Sequence, residues 1–120
     1  MIKLKRAYEA PGEDDGGRYL VDRLWPRGIA RDDARLSDWL KDLAPSEELR
    51  KWFGHDPKRW KEFKQRYKLE LRAAAKEQIL EDLAQKAKRG NITLVFAAKD
   101  SEHNNAVVVK EVLEKKLAKD

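Results

Sequence analysis

The chain has 120 residues and no cysteine, with 27 Lys plus Arg against 22 Asp plus Glu for a formal balance of +5. That length suits one domain with a single core, and the missing cysteines exclude a disulfide scaffold, a thiolate metal site and a Cys nucleophile. No window approaches the ~18 apolar residues of a membrane span, and the N-terminal MIKLKRAYEA lacks the apolar run of an export signal, so a cytosolic location is the expectation.

Residues 2–8 alternate, with Ile2, Leu4 and Arg6 on one face and Lys3, Lys5 and Ala7 on the other, the period of a half-buried strand. Pro11 to Gly17 holds one Pro, three Gly and three acids in seven residues and predicts a polar turn or mobile loop. In Arg18 to Leu24, strand formers surround two adjacent apolar residues, the pattern of a central strand covered on both faces. Pro26 and Gly28 end it in a Trp-Pro-Arg-Gly turn.

Leu36, Trp39, Leu40 and Leu43 recur at i, i+3, i+4 and i+7, which predicts a short amphipathic helix ending before Pro45. Ser46 is placed to cap a second short helix, with Glu47 and Glu48 in its first turn and Gly54 at its end. Asp56-Pro57 then starts a helix carrying Trp60, Phe63, Tyr67 and Leu71. A further stripe, Ile79, Leu80, Leu83, Ala84 and Ala87, ends in a basic turn and Gly90, and two helices rather than one are expected across residues 60–89. Ile92 to Ala98 is a continuous apolar run, as in a parallel strand buried on both faces. Asp100 or Ser101 is expected to cap a last helix whose stripe runs from Val107 to Leu117. Strands separated by helical segments predict an α/β fold, a small and mostly parallel sheet flanked by helices in a single domain over residues 1–120.

In such sheets ligands bind beyond the carboxyl ends of the strands. Two segments end there: Asp22 to Gly28, with Arg23, Trp25 and Arg27, and Lys99 to Asn104, which runs into a helix start. Arg23, Arg27 and Lys99, with Ser101, Asn104 and the free N–H groups of that helix start, suit a phosphate or carboxylate. His103, whose residue type titrates near neutrality, and Asp22 are the candidate proton carriers. The competing structural readings are an ion pair of Asp22 with Arg23 or Arg27, a core-closing role for Trp25, and capping roles for Asp100 and His55. A capping Asp100 also disfavours an anion beside it. Two separated histidines form no zinc pattern, so neither a metal nor a cofactor is expected.

VDRLWPRGI, APSEELRKWFGHDP, the Trp60, Phe63 and Tyr67 helix and TLVFAAKDSEHNNAVVV together resemble the YeaO-like family, over Ile2 to about Leu117. That family lies within a larger superfamily of domains of unknown function. The resemblance implies a compact bacterial or archaeal α/β domain and no assigned activity. In the wider superfamily the segment after the last strand resembles a Cys-His-Arg type signature, and Lys99 to Asn104 carries no cysteine.

Three functions compete. The first is an enzyme or binding domain for a small anion, with Arg23, Arg27 and Lys99 holding it and His103 or Asp22 moving a proton. The surplus of five positive charges allows a nucleic-acid-binding module, although acids are interspersed throughout and no recognition motif is present. The third is a partner-binding accessory domain anchored on the Trp-Pro-Arg-Gly turn.

Overall fold

A computed structural model describes residues 1–119. Its centre is a four-stranded sheet of β1 (Ile2–Arg6), β2 (Gly17–Leu20), β3 (Asp38–Trp39) and β4 (Ile92–Phe96), in the order β1-β4-β2-β3. Every pair is parallel, including the first strand, with Ile2 opposite Ile92 and Gly17 also opposite Ile92. The helices are α1 (Arg31–Ala34), α2 (Glu47–Phe53), α3 (Trp60–Glu70), α4 (Ala74–Arg89) and α5 (Asn105–Ala118).

The strand period sorts side chains onto two unequal faces. Ile2, Tyr19, Val21, Ile92, Leu94 and Phe96 join the main core, which also takes in the apolar sides of α2 to α5. The opposite face carries Ala7, Leu20 and Val95, covered by Trp25, Ile29, Leu36 and Trp39. Two-sided cover explains why all five β4 residues are buried, as their unbroken apolar run predicts.

At the amino end of the sheet, Lys3, Lys5, Arg18 and Thr93 lie on that second face around Asp15, which is 1% exposed. The acid-rich Pro11 to Gly17 segment is therefore an ordered turn with a 3-10 helix at Glu13–Asp15 rather than a mobile loop. Asp15 pairs with Lys5 at 2.9 Å and Arg18 at 2.6 Å, while its main-chain carbonyl accepts from the Thr93 hydroxyl. Gly16 closes the turn at φ 64°, where a Cβ would lie 1.8 Å from the Asn91 carbonyl oxygen.

The helix expected over Leu36 to Leu43 is absent. Instead α1 ends at Arg35 in the left-handed conformation, and Asp38–Trp39 extend along the free edge of β2. Ser37 and Leu40 donate main-chain hydrogen bonds to Arg18 and Leu20. The helix-like spacing arises because the segment crosses the sheet edge: Leu36 and Trp39 serve one face, Leu40 and Leu43 the other. Ser46 and Gly54 bound α2 as expected, Asp56 caps the turn leading into α3, and the chain breaks into separate α3 and α4 helices. No helix among the described residues is long and apolar enough to cross a membrane.

Candidate functional site

A cleft of about 620 Å³ opens beyond the carboxyl ends of β2 and β4. Both segments singled out in the sequence line it. Arg23, Trp25 and Arg27 come from the turn after β2, and Lys99, Asp100 and His103 from the link between β4 and α5. The turn is shaped by Gly28 at φ 78° and by the Trp25 indole N–H, which donates to the Ile29 carbonyl at 2.7 Å. Trp25 also meets Trp39 edge-on at 5.3 Å and carries the Arg31 guanidinium over its ring, so its core-closing role is real even though one part of it reaches the cleft.

Asp22 forms no ion pair with Arg23 or Arg27. Its carboxylate accepts from the Ala97 N–H at 2.9 Å and from the Asn105 side-chain amide at 2.9 Å, and that amide also donates to the Val21 carbonyl. Asp22 thus ties the ends of β2 and β4 to the start of α5. Burial pushes its carboxyl above the ordinary range, against the pull of the Asn105 amide, the Ala97 N–H and the charge of nearby His55. The Asp22 carbonyl is held separately, by the Trp39 indole N–H at 2.7 Å.

The expected cap of the last helix lies farther along the chain. Asn104 is the N-cap of α5, accepting from the Val107 N–H and donating to the Asp100 carbonyl. Asp100 instead accepts from the N–H groups of Glu102 and His103 in the preceding turn, and from the His103 ring, with Nδ1 to Oδ2 at 2.9 Å. The backbone N–H of Glu102 and the His103 ring hold its carboxyl below the ordinary range. An ionised carboxylate only accepts, so Nδ1 of His103 carries the hydrogen in this contact. The His103 ring stands edge-on to Trp60 at 5.2 Å.

Of the other sequence candidates, Ser101 is exposed and lies outside the cleft lining. His55, Arg50 and Asn105 also line the cleft, and no motif in the sequence marks them as site residues. His55 stands in the left-handed conformation after Gly54, at φ 57°, and Asp56 rather than His55 supplies the cap there. Nothing in the sequence pattern separates Asn105 from its neighbours as the partner of Asp22. No group of three or more His, Cys, Asp or Glu placed to hold a metal ion occurs among the described residues.

The family model of the inactive DUF488-N3 subclade matches residues 1–120. The uncharacterised protein YeaO of Escherichia coli (strain K12) is 42% identical over 112 residues, 93% of this chain and 96% of that protein. The uncharacterised protein Rv3073c of Mycobacterium tuberculosis (strain ATCC 25618 / H37Rv) is also 42% identical over 112 residues, covering 93% of this chain and 92% of its own. No solved structure matches the chain.

Proposed function

Since the chain belongs to the YeaO-like family and matches the inactive DUF488-N3 subclade, we propose that it is a non-catalytic binding domain for a small phosphate- or carboxylate-bearing ligand. One observation carries this reading: Arg23, Arg27 and Lys99 line a single cleft, and among the described residues none of them pairs with an acid. Cations left without acidic partners at the carboxyl edge of a parallel sheet favour an anion electrostatically. The subclade's description favours binding over turnover.

The nucleic-acid reading has less support, because much of the basic surface of α3 is neutralised in place. Lys64 and Lys68 both pair with Glu111, Arg66 with Glu62 and Arg59 with Asp56. Calorimetric titration with inorganic phosphate and with phenyl phosphate tests the proposal. Binding of at least one is expected, and Arg23→Ala with Arg27→Ala should weaken it by about tenfold or more. Failure of both probes to bind, or affinity indifferent to the double substitution, overturns the reading.

A further inference from the structure

The charged and apolar residues of the cleft differ in exposure. Its cations Arg23, Arg27 and Lys99 are exposed, whereas Ala44, Pro45, Phe53 and Phe63 line it as buried side chains. Arg23 reaches from the β2 turn to the Pro45 carbonyl, at 3.4 Å, so a cation stands beside that apolar wall. Leu24, 64% exposed, adds carbon surface next to Arg23.

The cleft also presents carboxylate acceptors, Asp22 and Asp100. Both Asp22 oxygens receive N–H donors from the protein, and Asp100 receives three. Such groups repel the oxygens of an inorganic anion seated among them. The cations are exposed, and a volume suited to an organic molecule lies in the same cleft.

We propose that the ligand is an amphipathic organic anion, whose phosphate or carboxylate meets Arg23, Arg27 and Lys99 while an apolar body fills the cleft against Leu24, Trp25, Ala97 and Ala98, over the wall of Ala44, Pro45, Phe53 and Phe63. This rests on the anion-binding reading above and names its ligand class. Burying one ring on that wall strengthens binding by about tenfold or more over the anion alone.

Three probes separate the outcomes by calorimetry on the intact chain: inorganic phosphate, phenyl phosphate and phenol. Phenyl phosphate is expected to bind about tenfold or more tighter than inorganic phosphate, to be displaced by excess inorganic phosphate, and to exceed phenol by a similar factor. Equal affinity for the two phosphates overturns this inference and leaves the anion reading standing. Phenol binding as tightly as phenyl phosphate, or no binding by any probe, overturns both.

Discussion

Asp15 and Asp22 lie at opposite ends of the same sheet and experience opposite electrostatic surroundings. Burial alone raises the carboxyl of Asp15, yet the Gly12 N–H, Lys5 and Arg18 outweigh it and bring the pKa from 3.8 down to about 2. Its contribution to stability is therefore complete above pH 3.8 and is lost as pH falls through about 2. Asp22 behaves inversely: with a folded-state value above 3.8, its ionisation cost is absent at low pH and sets in as pH rises through that raised value. Asp15→Asn leaves Arg18, itself buried, without its carboxylate and should cost about 3–5 kcal/mol in urea unfolding at neutral pH. The same substitution should flatten the acid limb of the stability profile between pH 4 and about 2. A loss below about 1 kcal/mol would mean that the pair is solvated like a surface ion pair.

At the level of elements, capping residues were readable where a single good acceptor preceded a helix. Ser46 caps α2 and is itself held by Glu70, whose carboxylate accepts from the Ser46 N–H and hydroxyl. Before α5 the sequence offers Asp100 and Ser101 as caps, and Asp100 does bind two backbone N–H groups. The helix starts later because Asn104 satisfies Val107 while its amide anchors back to the Asp100 carbonyl, giving two consecutive turns instead of one longer helix. Asn104→Ala should lower thermal stability by about 1 kcal/mol, with Asn104→Ser recovering most of it. If Asn104 also touches the ligand, the Ser variant regains stability without regaining phenyl phosphate affinity. The stripe at Leu36 to Leu43 misled for a related reason: spacing alone does not say whether four apolar side chains share one face, and here the open edge of β2 captured the backbone first.

For the whole molecule, the two faces of the sheet differ in thickness. Four helices cover one, while the side chains of Trp25, Ile29, Leu36 and Trp39, from the stretch between the β2 turn and the edge strand, form a thin cover on the other. Trp39 joins that cover to the cleft through its bond to the Asp22 carbonyl. Native-state hydrogen exchange should show the edge amides of Ser37 and Leu40 opening well before those of Leu94 and Val95 in central β4. Equal protection across all four would show that the thin cover opens only with the core.

The central strands, the start and end of α2, the start of α3, the end of α4 and the cleft beyond the strand ends follow from local signals: side-chain period, Pro and Gly positions, and acceptors placed before apolar runs. Those signals depend on residues within a few positions of one another, so they survive without knowledge of the fold. The pairing of β3 with β2, the enclosure of Asp15 and the partners of Asp22 do not, because they join distant parts of the chain. Asp22 meets Ala97 and Asn105, 75 and 83 residues away, and only the parallel alignment of β2 beside β4 brings them together. The same alignment sets Arg23 and Arg27 across from Lys99 and His103, turning two separate polar segments into one cleft.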